Sequence, residues 1–293
     1  MPVWLFGMSI ELLLSKQNRD GGWPYFRGGS WTEPTVYAVL ALLSTGHEGA
    51  ARRGIDWLAT LQRPDGGWPP QAGVEESSWV TSLVALLPPR RVGPAAHGRA
   101  IGWLAGVRGE ESTLLYRARE WLLGNRRQPE EAFPGWPWVP GTAAWVAPTA
   151  FAILALEKEC RRGRAPALQA RIDAGRRFLL LHMCHEGGWN HGSVRALGYE
   201  SRPYPETTGL ALAALRGVRS PQVELALAAG RRFLSECRSA DAFNWLRLGL
   251  IAHNALPPGD EPLSKIERRS VPEASLDLVV GAALHGNDVF WEN

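Results

Sequence analysis

The sequence QNRDGGWP, residues 17–24, occurs again in nearly the same form as QRPDGGWPP at residues 62–70. A looser third copy, FPGWPWVP, covers residues 133–140, and a fourth, CHEGGWNHG, covers residues 184–192. Each copy follows an apolar segment of helical period and precedes another such segment. The chain is therefore predicted to be a helical repeat protein whose function depends on what the repeats enclose.

The helices before and after each loop differ in character. The first helix of a unit carries charged residues on one face, as in GIDWLATLQ at 54–62, whereas the second is apolar all round, as in VYAVLALL at 36–43 and GLALAAL at 209–215. An amphipathic helix covers a core, and an apolar helix is buried inside one. The pattern predicts one all-α domain, residues 1–293. In it, about five to six helix pairs form an (α/α) toroid with the apolar helices inside.

Two parts of the pattern are irregular. In the third unit, a helix at 95–105 carries Trp103 and another at 112–123 carries Trp121, each where the second unit carries Trp57. The sequence leaves open which of these two helices is the insertion. The last apolar helix, 272–284, follows a polar stretch where an outer helix would be expected, at residues 257–269.

Composition excludes several classes of protein. The net charge of +3 is small for 293 residues and the arginines form no basic run, so nucleic-acid binding is unsupported. No apolar run approaches about 18 residues, so no transmembrane helix is predicted. The sequence leaves open whether the protein contacts a membrane surface, and it identifies no protein partner. The N-terminus lacks the basic region of a signal peptide, and Cys160, Cys184 and Cys237 form no CxxC pair. These features predict a cytoplasmic protein with reduced thiols.

The motif Gln-x-x-Asp-Gly-Gly-Trp, at residues 17–23 and 62–68, resembles the QW repeat of the squalene–hopene and oxidosqualene cyclases. Protein prenyltransferase β-subunits share the toroid of these enzymes. The resemblance covers about residues 3–285 and implies a toroid with a central apolar cavity that, in the family, receives isoprenoid chains. Its glycines permit a tight turn, the aspartate can accept hydrogen bonds from adjacent amides, and the tryptophan can stack on a helix end. The repeat is therefore interpreted as a structural staple.

The metal and acid motifs of the related enzymes are absent from this sequence. No Asp-x-Asp-Asp or Asp-Asp-x-x-Asp motif occurs, and the nearest pair of aspartates, Asp56 and Asp65, lies nine positions apart. No cysteine follows an aspartate in the Asp-x-Cys pattern that the prenyltransferases use to hold zinc. The cluster of His182, Cys184 and His185 is a weak alternative metal site, since these side chains are more simply explained as contacts at a helix end. No cofactor is expected.

Acidic residues stand where the predicted inner helices begin. In a closed ring of alternating helices these starts lie at one end, so we expect an acidic rim at the cavity mouth. One buried member of this rim would act as a general acid. The alternative is that acids in a first turn only complement the helix dipole. The catalytic candidates are Glu206, Asp241, Glu33 and Glu76, and Glu273 belongs to the same set.

Aromatic residues on or beside the inner helices are the candidates for binding a ligand. Aromatic faces stabilise cations and receive apolar chains, although about half of the set is expected to be ordinary core. The set is Trp31, Tyr37, Trp79, Trp145, Tyr204 and Trp245. The favoured function is binding of an isoprenoid or lipid-like molecule, with terpene cyclase-like or prenyltransferase-like activity if the protein is an enzyme. The alternative is a non-catalytic scaffold or protein-interaction module.

Overall fold

The structure is a computed structural model, and it describes residues 3–124, 133–163, 166–192, 195–196, 199–258 and 268–291. Helices dominate these ranges. In chain order they are α1 (Val3–Lys16), α2 (Thr32–Ser44), α3 (Glu48–Ala59), α4 (Val80–Leu86), α5 (Pro89–Val92), α6 (Pro94–Gly106), α7 (Leu114–Leu122), α8 (Val146–Arg161), α9 (Pro166–Leu181), α10 (Pro205–Ala214), α11 (Pro221–Glu236), α12 (Ala240–Ala252) and α13 (Val271–Leu284).

Short elements complete the described secondary structure. A single 3₁₀ turn, Glu110–Ser112, precedes α7. Two antiparallel pairs of two-residue strands lie in loops, and none of them belongs to a core sheet: β1 (Trp136–Pro137) with β2 (Ala144–Trp145), and β3 (Arg195–Ala196) with β4 (Tyr199–Glu200).

The apolar helices form a closed ring. Neighbouring contacts run from α2 to α4, α8, α10, α12 and α13, and α13 packs back against α2. The amphipathic helices α1, α3, α6, α9 and α11 pack on the outside of this ring. An apolar helix in the ring is covered by neighbours on all sides, and α8, for example, is buried from Val146 to Glu159. The predicted all-α toroid with inner apolar and outer amphipathic helices is confirmed, whereas the assignment of the whole chain to one domain stays a prediction.

The structure identifies the insertion in the third unit. The outer helix is α6, which packs against α4 and α8 through Ala100, Ile101 and Leu104. By contrast, α7 buries none of its residues. The insertion is therefore the second of the two competing helices. Most of the polar stretch 257–269 falls outside the described residues.

A tryptophan at each loop ties an outer helix to the inner helix that follows it. The Trp23 indole N–H donates to the carbonyl of Leu13 on α1 over 2.7 Å, and the Trp23 backbone N–H donates to the Thr35 hydroxyl on α2 over 2.8 Å. Trp68, Trp136 and Trp189 make the same pair of hydrogen bonds in the following units. Each of the four rings is at most 2% exposed. The interpretation of the repeat as a staple is confirmed.

The glutamine of the motif connects one unit to the next. The Gln17 side-chain amide donates to the carbonyls of Gly21 and of Ala50, the latter on the outer helix of the second unit. Gln62 repeats these bonds with Gly66 and with Ala96 on α6. Units in sequence are therefore joined through polar contacts at their loops as well as through the apolar ring.

One inner helix begins later than the sequence pattern suggests. Glu76 is expected at the start of an inner helix, but α4 begins four residues later, at Val80. Ser78 donates its backbone N–H to the carbonyl of Trp68 over 2.9 Å, and Trp79 donates to Trp138 over 2.8 Å. The residues before Val80 therefore hydrogen-bond to two loops.

Helices α10 and α12 approach each other through glycine. A Cβ atom on Gly209 would lie 2.2 Å from the carbonyl carbon of Trp245 and 2.4 Å from the backbone nitrogen of Leu246. Backbone atoms cannot move aside as a flexible side chain can. Gly209 therefore sets the spacing of α10 and α12, and with it the relative position of the first turns of these helices.

We expect Gly209→Ala to destabilise the protein by about 1–3 kcal/mol or more, because the added methyl group overpacks a backbone contact. The matched control is Gly102→Ala on α6, where a Cβ would meet nothing within 4 Å. That change should be neutral or stabilise the fold by up to about 1 kcal/mol, since alanine is the better helix former. Urea unfolding of both variants measures the difference, and equal free energies of unfolding would contradict the assigned role of Gly209.

Candidate functional site

A cavity of about 260 Å³ lies where the inner helices begin. Four of these helices contribute their second and sixth residues to its wall, positions that share one helix face. The second residues are Glu33, Ala147, Glu206 and Asp241, and the sixth are Tyr37, Phe151, Leu210 and Trp245. Thr207, Trp79, Trp138 and His191 complete the lining. The cavity is therefore lined by equivalent positions of the inner helices.

Three carboxyl groups share this cavity. Glu33, Glu206 and Asp241 begin α2, α10 and α12, and all three line the wall. Each carboxyl lies at the positive end of its helix dipole, which favours an acidic residue there. Tyr25 donates its hydroxyl hydrogen to the carboxylate of Glu33. The structure thus places three of the four catalytic candidates in one cavity.

Burial changes the protonation of this cluster. Burial raises the pKa of Asp241 from 3.8 to about 7, with smaller contributions from the negative charges of Glu33, Glu206 and Glu273. Burial also raises the pKa of Glu33, although the hydrogen bond from Tyr25 opposes this shift. The pKa of Tyr37 is raised well above its usual value, first by burial and then by the negative charge of Glu33. The cavity therefore favours the protonated form of Asp241 far more than water does.

Aromatic rings form a continuous wall around the acids. Trp138 contacts Trp79 edge-on, with centroids 5.0 Å apart, and Trp79 lies 5.4 Å from Phe151. Phe151 contacts Trp245 at 5.4 Å, and Trp245 contacts Tyr37 at 6.3 Å. Trp79 and Trp138 are half-buried at the mouth, whereas the other three rings are buried. The arrangement suits an apolar or cationic group held against an acid.

Four of the predicted site residues lie elsewhere among the described residues. Glu76 is exposed and precedes the first residue of α4. Trp31 bridges two loops and contacts Tyr25 at 5.6 Å, outside the cavity lining. Trp145 and Tyr204 occupy the N-cap positions of α8 and α10, where they are 37% and 45% exposed. These side chains flank the helix starts without lining the cavity.

Glu273, the fifth acid of the predicted rim, has a structural explanation. Its carboxylate accepts hydrogen bonds from the backbone N–H groups of Arg269 and Ser270. Together with the Ser270 side chain this forms a capping box at the start of α13. Glu273 therefore contributes a negative charge near Asp241 while its Oε2 atom caps the helix.

The three metal candidates do not form a ligand cluster in the structure. His182 is buried, stacks on Phe178 and is hydrogen-bonded to the Phe178 carbonyl over 2.8 Å. The Cys184 backbone N–H donates to the carbonyl of Gly188 in the fourth loop, and His185 is exposed. Among the described residues no group of three His, Cys, Asp or Glu side chains has the spacing of a metal site.

Sequence reasoning missed several residues of the wall, including Trp138, Phe151 and His191. Trp138 lies in the third copy of the repeat, and Phe151 is the sixth residue of α8, just as Tyr37 is of α2. Aligning the inner helices by their first turns would therefore have found Phe151. His191 follows the fourth tryptophan by two positions, and nothing in the sequence indicates that its loop folds over the mouth.

The raised pKa of Asp241 predicts how stability depends on pH. An acid whose folded pKa lies above its unfolded value keeps its proton better in the folded protein. Its contribution to stability is therefore lost as pH rises from about 4 to about 7. We expect the free energy of unfolding to fall over this window by at most about 1.4 kcal/mol per pH unit.

The variant Asp241→Asn should flatten this decline and be more stable than the wild type at pH 8. Asp56→Asn, on the exposed face of α3, is the matched control and should leave the pH dependence as it is. Urea unfolding at several pH values measures the effect. A decline that persists unchanged in Asp241→Asn would show that another group causes it.

Known proteins match short parts of the sequence. No protein-family model matches the chain. A drimenyl diphosphate synthase from Streptantibioticus cattleyicolor is 48% identical over 71 residues, which is 22% of this chain and 13% of that protein. An MMP endo-(1,4)-3-O-methyl-alpha-D-mannosidase from Mycolicibacterium hassiacum is 38% identical over 65 residues, 22% of this chain and 18% of that protein. The matches thus span less than a fifth of the length of either relative.

Solved structures match nearly the whole chain. The type II terpene cyclase MstE from Scytonema aligns with 97% of this chain and 79% of its own, at a TM-score of 0.54 and 19% identity. A glycosidase aligns with 96% of both chains at a TM-score of 0.57 and 11% identity. The chain therefore has the (α/α)-toroid fold of the terpenoid cyclases, a fold that it shares with a glycosidase.

In the part of the chain that the structure describes, no helix is long and apolar enough to cross a membrane.

Proposed function

We propose that this protein binds an isoprenoid chain in the cavity of the ring and donates a proton to it from Asp241. The observation that supports this proposal is the position of Asp241, whose pKa is raised by burial to about 7, in a wall of aromatic rings. The cavity volume of about 260 Å³ lies just below the usual range of small-molecule sites, about 300–1,000 Å³. A short isoprenoid chain is therefore the ligand that we expect.

The fold and one sequence match point to the same class of ligand. MstE is a type II terpene cyclase, and the relative that is 48% identical over 71 residues is a drimenyl diphosphate synthase. The cyclases that the repeat resembles protonate an alkene with an Asp-rich motif, which this chain lacks. Asp241 would replace that motif, with Glu33 and Glu206 supplying the neighbouring negative charges that keep its proton in place.

In the reaction that we propose, the proton leaves Asp241 and later returns to it. The O–H bond of Asp241 breaks while a C–H bond forms at a double bond of the chain, which leaves a carbocation and an aspartate. Trp245 and Phe151 present their rings to this cation and stabilise it by cation–π attraction. Loss of a proton from the cyclised cation to the aspartate restores the acid. No metal or cofactor takes part in this step.

Purified protein incubated with farnesyl diphosphate, geranylgeranyl diphosphate and squalene tests the proposal. We expect a cyclised product in mass spectrometry and a bound isoprenoid in a lipid extract. Asp241→Asn should lower the rate by about 10²–10⁴-fold, the usual contribution of a general acid. Asp56→Asn is the control.

Glu206→Gln provides a second test of the site. Unchanged binding and turnover in this variant would remove Glu206 from the machinery. Absence of both bound lipid and product in the wild type would instead favour a non-catalytic scaffold.

Glycoside hydrolysis is a second candidate function. Most glycosidases use a pair of carboxyl groups, one of which is a general acid with a raised pKa. Asp241 fits that role, because a carboxylic acid with a pKa near 7 can donate its proton to the glycosidic oxygen. Glu206 or Glu33 would be its partner carboxylate. The glycosidase match over 96% of both chains is the specific observation in its favour. The mannosidase that is 38% identical over 65 residues suggests the substrate to test, an oligosaccharide of 3-O-methylmannose. Release of reducing ends from it, lost in Asp241→Asn, would favour glycoside hydrolysis over isoprenoid chemistry.

We further propose that α7 carries the peripheral membrane contact. Its residues Leu114, Leu115, Trp121 and Leu122 are 76–85% exposed. Two exposed cations, Arg117 and Arg119, lie between them, as is typical of a helix that rests on an anionic bilayer. The turn before α7 donates the Glu110 backbone N–H to Thr142, in the same loop as the cavity residue Trp138. An apolar ligand dissolved in the membrane would therefore enter close to the mouth.

We expect the wild-type protein to sediment with vesicles that contain anionic lipid, and a Leu114→Gln/Leu115→Gln double variant to remain in the supernatant. Replacing two exposed leucines removes buried apolar area from the lipid contact without touching the core. A Met8→Gln variant, exposed on α1, serves as the control. Sedimentation that is equal for all three proteins, or absent from the wild type, would contradict the assignment.

A further inference from the structure

The chain turns back into the ring after its last helix. We call residues Asp288–Trp291 the plug. Phe290 and Trp291 are buried, at 0% and 2% exposure. The turn is held by hydrogen bonds from the Trp291 backbone N–H to the Asp288 carbonyl over 3.0 Å and from the Phe290 N–H to the Asp288 carboxylate over 3.2 Å. The plug is therefore an ordered part of the core.

Basic side chains at the C-terminal ends of the inner helices anchor the plug. Lys158 on α8 is 2% exposed and donates from Nζ to the carbonyl of Val289 over 2.6 Å. Arg161 donates to the Trp291 carbonyl over 3.3 Å, and the guanidinium of Arg216 lies 4.7 Å from the centre of the Trp291 ring. A lysine is rarely buried without a partner. The plug supplies one for Lys158.

The plug separates two voids at opposite ends of the ring. On one side, Asn287 and Val289 line a pocket of about 210 Å³ together with Leu40 and Leu43, near the end of α2. On the other side, the Phe290 ring lies 5.6 Å from the ring of Trp245, which lines the cavity with the acids. A single aromatic ring therefore stands between Phe290 and that cavity.

We propose that Phe290 determines the depth of the cavity, and hence the length of the hydrophobic chain that the protein accepts. Phe151 and Tyr37 contact Trp245 on the cavity side, and Phe290 contacts it on the side of the plug. Removing the Phe290 ring gives Trp245 room to move and opens the space behind it. This inference rests on the proposed binding of an isoprenoid. In it, Phe290 selects the size of the ligand although it lies outside the cavity lining.

Binding of geranyl, farnesyl and geranylgeranyl alcohols, a series of increasing length, tests the inference by calorimetry or native mass spectrometry. We expect the wild-type protein to prefer the shorter alcohols. Phe290→Ala should strengthen binding of the longest alcohol relative to the shortest by about tenfold, since extra apolar surface is then buried. Phe290→Trp should shift the preference in the opposite direction. Val289→Ala, on the side of the plug that faces the other pocket, is the matched control and should keep the wild-type preference.

Each outcome separates this inference from the function on which it rests. Wild-type binding with an unchanged length preference in both Phe290 variants would overturn the role of Phe290 and leave isoprenoid binding intact. Failure of the wild type to bind any of the alcohols would overturn the proposed function, and the inference with it. Circular dichroism checks that each variant is folded. Should Phe290→Ala unfold, Phe290→Leu takes its place, and unfolding of every Phe290 variant would identify the ring as purely structural and overturn the proposal.

Discussion

The ring depends on one interaction that recurs four times: a buried tryptophan that hydrogen-bonds to two helices at once. Its indole N–H donates to a carbonyl near the end of the outer helix, and its backbone N–H donates to a threonine hydroxyl in the first turn of the next inner helix. An indole left without a partner in the core would cost about 1–3 kcal/mol. Because the same geometry recurs at Trp136 and Trp189, each of these four inner helices is fixed to the preceding loop through a threonine of its first turn.

The shared direction of the inner helices produces the chemistry of the cavity. Parallel inner helices bring their first turns to one end of the ring, so residues at the second position of each helix converge. Where these residues are acids, as at Glu33, Glu206 and Asp241, the helix dipoles favour negative charge while burial and mutual repulsion oppose it. The two influences act against each other, and Asp241 keeps a proton to near neutral pH as a result.

Basic residues hold the plug at the opposite end of the ring. Lys158, Arg161 and Arg216 lie where the inner helices end, and a cation there complements the negative end of the dipole. These cations bind the backbone and ring of the plug, which closes the ring behind Trp245. A ligand is therefore expected to enter and leave by the acidic mouth.

The sequence by itself determined the repeat, the two helix types, the staple and the first-turn positions of the acids, because periodicity, capping and turn chemistry are local properties. It also favoured Tyr37, Trp79 and Trp245 among the residues that line the cavity. Only the tertiary structure decided that Glu76, Trp31, Trp145 and Tyr204 lie outside the lining, that α7 is the insertion, and that Phe290 packs behind Trp245. These outcomes depend on how far each helix is rotated in the closed ring and on contacts between residues distant in sequence. The burial that raises the pKa of Asp241 also depends on the tertiary structure, because no single segment of the chain removes the water around this side chain.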